Sequence, residues 1–173
     1  MAKQELILSE QQIRNRVLEL GKQISLDYRD KNLVMVGVLN GSFIFLADLV
    51  RAITIAHQID FIRVASYGSK SKSSGKISLS KDVDLDMTGK DILLVEDIVD
   101  TGTTLQWLVN YFTGKEGSSV RTCALIDKKE RREVAIKVDY TGFTLNRGFL
   151  VGYGLDYAEK YRHLPEIYHL FFS

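Results

Sequence analysis

Apolar positions along the chain fall into two distinct patterns. Ile13, Val17, Leu20 and Ile24 recur three and four residues apart, the period of one helix face. Ser9 and Gln12 precede them at the spacing of a capping box, in which each side chain satisfies the other residue's backbone amide. Residues 10–28 are therefore predicted to form an amphipathic helix. Residues 33–39 differ: Leu-Val-Met-Val-Gly-Val-Leu contains no polar position. An unbroken apolar run of that length is expected of a strand covered on both faces, as in a parallel sheet between helices.

Asn40, Gly41 and Ser42 end the run as a tight turn. Residues 43–53 lack glycine and proline and read as a helix, and residues 59–66 read as the next strand. The same order repeats with a strand over 91–95, a helix over 105–112 and a strand over 120–126. Two strand–helix–strand units in succession predict a mainly parallel sheet with helices on both faces. Such sheets take ligands beyond the carboxyl ends of their strands, so the turns after residues 39, 66, 97 and 126 are where a site is expected. Residues 68–76 consist of glycine, serine and lysine alone and have no apolar side chain to bury. Composition favours an exposed hairpin tip. The segment's place on the ligand side keeps a lid in view, with Ser66 and Tyr67 at its start.

A length of 173 residues suits one domain with a single core; 45% hydrophobic and 26% charged residues is an ordinary soluble, globular composition. Lys plus Arg total 23 and Asp plus Glu 22, a net charge of +1. That balance argues against nucleic acid or an anionic membrane as partner, and no apolar run approaches the roughly 20 residues of a membrane span. Leu6-Ile7-Leu8 is too short for the apolar core of a signal peptide, so none is expected. Cys123 is the lone cysteine, so no disulfide can form within the chain and a reducing cytoplasm is the expected compartment. It lies in an apolar strand and reads as an inert core thiol. His57, His163 and His169 show no metal-ligand spacing.

The chemistry concentrates in residues 92–104, Ile-Leu-Leu-Val-Glu-Asp-Ile-Val-Asp-Thr-Gly-Thr-Thr. A buried strand is expected to end at Glu96 and Asp97. Asp100 follows, then Thr101, Gly102, Thr103 and Thr104 just ahead of a helix. Free amides at a helix start, the helix dipole and threonine hydroxyls together suit a phosphate. Carboxylates accept hydrogen bonds but do not donate them, so the acids match sugar hydroxyls or hydrated Mg²⁺ instead. A ligand offering both a phosphate and a diol is a phosphorylated sugar.

This string is similar to the 5-phosphoribosyl-1-pyrophosphate (PRPP) binding motif of type I phosphoribosyltransferases. Residues 37–42 (GVLNGS), Ser66-Tyr67, residues 125–129 (LIDKK) and residues 149–157 (FLVGYGLDY) resemble the hypoxanthine and hypoxanthine-guanine branch of that family. The resemblance implies an α/β, PRPP-type (Rossmann-like) fold. In it, a mainly parallel sheet is flanked by helices and a small hood is built from the two chain ends, all within one domain over residues 1–173. It implies transfer of 5-phosphoribosyl from PRPP to N9 of hypoxanthine and guanine, in purine salvage, with Mg²⁺ as cofactor. Position by position, Glu96 and Asp97 would hold the ribose hydroxyls and a Mg²⁺ shell. Thr101, Gly102, Thr103 and Thr104 would wrap the 5′-phosphate, and Asp100 would face purine N7 as general base. Asn40, Gly41, Ser42 and Arg162 would meet pyrophosphate, in this family often beside a non-proline cis peptide. Asn40 departs from the lysine that many members carry. Lys128 would donate to the 6-oxo group, Phe149 would stack on the base and the Leu150 backbone would meet its edge. Asp156, also at the purine side, would bind a second Mg²⁺. A cytoplasmic homo-oligomer, dimer or tetramer, is expected. From the residues alone, Lys128 reads as one charge in the solvated run 128–133, and Phe149 as core. Two rivals remain: a xanthine-guanine enzyme, and a PRPP-sensing RNA-binding regulator, which would need a basic face.

Overall fold

The computed structural model describes residues 3–66, 77–117, 119–146 and 148–171. Tyr67 and residues 68–76, the expected lid, lie outside the described residues. The elements run in the order β1 (Lys3–Leu8), α1 (Glu10–Asp27), β2 (Leu33–Leu39), α2 (Phe43–Ala52), β3 (Gln58–Ser66), β4 (Ile77–Lys81), β5 (Asp91–Val99), α3 (Thr103–Thr113), β6 (Ser119–Lys128), β7 (Tyr140–Leu145), β8 (Phe149–Val151) and β9 (Ile167–Phe171).

The capping box at Ser9 forms. The Gln12 amide donates to Ser9 Oγ at 3.3 Å, and the Ser9 amide donates to Gln12 Oε1 at 2.9 Å. Starting from that cap, α1 buries Ile13, Val17, Leu20 and Ile24, as its period predicts. The six-stranded sheet has the order β4-β3-β2-β5-β6-β7. Every neighbouring pair is parallel except β3 with β4. β1, β9 and β8 form a separate antiparallel sheet from both chain ends.

The apolar runs are apolar because each strand has helices on both sides. Leu33, Met35, Leu93, Val95 and Cys123 pack in one core with Leu20 and Ile24 of α1 and Phe45 and Leu49 of α2. Val34, Val36, Ile92, Leu94 and Ala124 pack in the other with Leu105, Leu108 and Phe112 of α3. Odd and even strand positions thus serve opposite faces, the alternation that a pleated strand imposes.

Several boundaries near the site differ from expectation. β5 continues through Glu96 and Asp97 to Val99, because β6 continues beside it and pairs Glu96 with Ala124, Ile98 with Ile126 and Val99 with Asp127. Backbone ladders do not require apolar side chains. β2 leaves β5 earlier, at the pair Gly37–Val95. Strand order also reverses between β2 and β5, so a crevice opens there, at the carboxyl ends of the strands. α3 begins at Thr103 rather than Leu105, so two of the four expected phosphate-loop residues belong to its first turn. β1, β7 and β9 have no counterpart in the sequence pattern; β4, antiparallel to β3, is the second strand that the hairpin expectation calls for.

Candidate active site

The crevice is a cavity of about 260 Å³ lined by Val38, Leu39 and Gly41 at the end of β2, and by Glu96–Gly102, Thr104 and Leu105. Gly102 has φ +86° and caps α3, a conformation that costs glycine nothing. A Cβ there would also lie 3.0 Å from the Val134 carbonyl oxygen. The Thr101 carbonyl accepts from the Glu133 and Val134 amides at 2.9 and 3.1 Å. The turn is thereby held from behind, and the first turn of α3, whose amides have no acceptor within the helix, borders the crevice at Thr104 and Leu105, a place that suits an anion; the Thr103 amide donates to Thr101 Oγ1 at 3.4 Å. Thr101 and Thr103 share a hydroxyl–hydroxyl hydrogen bond of 2.5 Å.

The opposite wall is the turn after β2. The Leu39–Asn40 peptide is cis, as the family resemblance implies. Ser42 turns away from the crevice: its hydroxyl donates to the Val38 carbonyl at 2.7 Å and its amide reaches the same carbonyl at 3.4 Å. Of the three expected pyrophosphate contacts in this turn, the amides of Asn40 and Gly41 remain for an anion. Arg162 is carried to this wall by the segment after β8. It donates to the Gly154 carbonyl at 2.7 Å and pairs with Asp156 and Glu159, each at 3.0 Å. The Asp156 carboxylate, expected at the purine side, is engaged by Arg162 and by the Glu159 amide at 2.9 Å.

Two acids between these walls form no direct ion pair among the described residues. Glu96 is 7% exposed; burial, with the neighbouring Asp97 charge second, pushes its carboxyl well above the usual range. Burial likewise raises Asp97 from 3.8 to about 6, against the pull of the Ile98 amide and the Arg162 charge. Negative charge here is short of a cation, and that fits Mg²⁺. Among the described residues no group of three side chains could hold a metal alone. The fit is therefore to an ion that takes one or two carboxylates and completes its shell with water and substrate phosphate, the ordinary habit of Mg²⁺.

At the far end of the crevice, Asp100 Oδ1 is buried with no hydrogen-bond partner. The Lys128 ammonium lies 3.9 Å from it and 3.3 Å from Glu130 Oε2. Lys128 is only 8% exposed in its side chain, so it is not part of a solvated face. β6 runs two residues further than its apolar stretch and delivers Lys128 to the site. Phe149 is 42% exposed, not core, and meets Tyr157 edge-on at 5.5 Å. A partly exposed aromatic ring suits a planar base. The Leu150 side chain is buried at 7%, so a ligand can meet only its backbone.

Three contributors were missed. Glu130 bridges the two halves of the base site, accepting from the Gly148 amide at 3.3 Å while pairing with Lys128. Tyr157 backs Phe149, and Arg132 donates to the carbonyls of Asp100 and Lys128. Alternating charge over 128–133 was the only sequence signal for Glu130 and Arg132, and it reads as solvated surface; Tyr157 ends the 149–157 segment that carries the family resemblance. Cys123 is fully buried, and burial pushes its thiol far up; it is inert.

Helix-start amides, a buried acid pair and an exposed aromatic ring around one parallel-sheet switch point are the parts expected of a nucleotide-handling α/β protein. Residues 3–158 match the phosphoribosyl transferase domain, and the chain belongs to that family. It is 48% identical over 167 residues to the hypoxanthine-guanine phosphoribosyltransferase of Aquifex aeolicus, covering 96% of this chain and 94% of that one. It is 44% identical over 165 residues to the hypoxanthine phosphoribosyltransferase of Escherichia coli, covering 94% and 93%. The crystal structure of a hypoxanthine phosphoribosyltransferase from Staphylococcus aureus is similar with a TM-score of 0.92 at 41% identity, over 96% of this chain and 91% of that one.

Proposed function

We propose that this chain is a purine-salvage enzyme that transfers 5-phosphoribosyl from PRPP to N9 of hypoxanthine and of guanine, forming IMP or GMP and pyrophosphate. One observation carries the reading: the unpartnered Asp100 oxygen lies 3.9 Å from the buried Lys128 ammonium. A 6-oxopurine presents N7 and O6 side by side on one edge. Asp100 takes the proton at N7 while Lys128 donates to O6. Adenine would set an amine against the ammonium and is rejected.

The remaining residues divide the substrate. The α3 amides and Thr101–Thr104 hold the 5′-phosphate, and Glu96 and Asp97 accept from the ribose hydroxyls. Asn40, Gly41, Ser42's turn and Arg162 hold pyrophosphate, with Arg162 steered by Asp156. Phe149 stacks on the base, and the Leu150 backbone meets its edge. The bond between C1′ and pyrophosphate breaks, the C1′–N9 bond forms, and the purine proton passes to Asp100. The ribose gains oxocarbenium character on the way. Mg²⁺, when bound near Glu96, Asp97 and Asp156, supplies positive charge to the phosphate oxygens.

The RNA-binding alternative is weakened by the fate of its basic run. Lys128 pairs with Asp100 and Glu130, Lys129 with Asp127, Arg131 with Asp100 and Arg132 with Asp127. Residues 1–173 act as one domain, with the β1-β9-β8 sheet as hood over the base. No helix among the described residues is long and apolar enough to cross a membrane, and a lone buried cysteine supports a cytoplasmic setting. Exposed Phe43 and Ile59 support a homo-oligomer, dimer or tetramer. The test is a purine panel with PRPP and Mg²⁺. IMP and GMP are expected, with little product from adenine; XMP as the main product would favour the xanthine-guanine reading, and absence of any nucleotide would refute the proposal.

A further inference from the structure

The last register pair of the β5–β6 ladder is Val99 with Asp127. The next residues on the two strands are Asp100 and Lys128, the pair assigned to the purine edge. Their side chains lie just beyond the last paired residues. Arg132 ties the two strand ends together. Its Nε donates to the Asp100 carbonyl at 3.0 Å. Its Nη2 donates to the carbonyls of Lys128 at 3.0 Å and Val99 at 3.2 Å, and pairs with Asp127 Oδ1 at 2.5 Å. Its Nη1 reaches the Ile136 carbonyl at 3.5 Å.

From these contacts we infer that Arg132 is a positioning residue for the transfer reaction, fixing Asp100 and Lys128 against each other through their own backbone carbonyls. The inference rests on the roles given above to those two residues. Three features support it. The Arg132 side chain is only 15% exposed. Burying a charge gains little stability over a well-packed apolar residue, so the guanidinium is poorly explained by folding alone. A planar fork reaches several carbonyls on two strands at once, which a point-charge ammonium cannot do. Finally, the phosphate turn does not depend on Arg132 for its Thr101 carbonyl, which the Glu133 and Val134 amides hold separately. Arg132 therefore acts on the base end of the site rather than on the phosphate cradle.

Lysine and glutamine separate this role from a structural one. Arg132→Lys keeps the ion pair with Asp127 and loses the fork; Asp127→Asn loses the ion pair but keeps an acceptor for the fork. Full-length variants are compared by Tm, by kcat and by KM for PRPP and hypoxanthine, with Arg132→Gln as second variant and Asp100→Asn as reference. Arg132→Lys should lower kcat about 10- to 100-fold, the loss expected of a small misplacement of reacting groups, with KM for PRPP near wild type. Asp127→Asn should lower Tm more than Arg132→Lys and leave kcat near wild type. A folded Arg132→Lys with wild-type kcat overturns the inference. So does kcat falling in step with Tm across all the variants, or failure of both Arg132 variants to fold. An undiminished Asp100→Asn would instead refute the site reading on which the inference rests.

Discussion

Gly41 and Asp97 occupy the same space: a Cβ on Gly41 would lie 1.8 Å from Asp97 Oδ2. The turn after β2 and Asp97, proposed to hold pyrophosphate and ribose, are therefore in contact, and the absence of a side chain on one makes room for the other. Gly41→Ala must push the Asp97 carboxylate aside. A displaced acid at a site that depends on alignment is expected to cost about 100-fold in kcat/KM for PRPP. The buried cores are untouched, so Tm should change little. Steady-state kinetics beside a thermal melt would check both, and an alanine variant with normal turnover would show that the contact is dispensable.

Asp100→Asn retains shape and polarity but cannot take a proton. Groups in general acid–base roles contribute roughly 10²- to 10⁴-fold, and kcat should fall within that range. PRPP affinity should persist, because the phosphate cradle is built from amides and hydroxyls. A normal kcat would move proton transfer to another group, with Glu96 and Asp97 next to examine.

Glu96 and Asp97 should show opposite effects on stability and function. Burial holds both carboxyls above their ordinary range, so at neutral pH the folded, ligand-free chain bears a penalty for their charge. Each unit of upward shift corresponds to about 1.4 kcal/mol against the ionised form. Glu96→Gln and Asp97→Asn should therefore raise the Tm of the free protein by several degrees while weakening PRPP binding in the presence of Mg²⁺. Differential scanning calorimetry and calorimetric titration with PRPP give the two readouts; a lowered Tm in both variants would contradict the electrostatic account.

Asp127 behaves in the reverse sense. Burial alone would push its carboxyl up, but the Lys129 and Arg132 contacts outweigh that and hold it below its ordinary value of 3.8. A depressed acid contributes stability that is complete above the unfolded-state value and is lost as pH falls through the folded one. Acid should thus erode wild-type stability, and Asp127→Asn should flatten the acid limb of a Tm profile taken between about pH 3 and 7. Parallel profiles for the two proteins would place the acid sensitivity elsewhere.

Much of this was legible in one dimension. Periodicity marked α1, and unbroken apolar runs marked β2, β5 and β6, because a strand between two helical layers must be apolar on both faces. The 92–104 string disclosed the phosphate turn, whose chemistry lies in consecutive residues. β1, β7 and β9 were missed because their stability comes from pairing with distant strands, whereas β4 pairs antiparallel with β3 as the hairpin expectation called for. Lys128 and Phe149 read wrongly from the residues alone: burial of a lysine and exposure of a phenylalanine are decided by what other segments place around them. Local order and residue type therefore determined the fold class and the phosphate-binding end of the site. At the other end, the family resemblance named Asp100, Lys128 and Phe149, but their closeness and the Arg132 contacts behind them came only with tertiary structure, since they join residues that approach each other only when two strands end side by side.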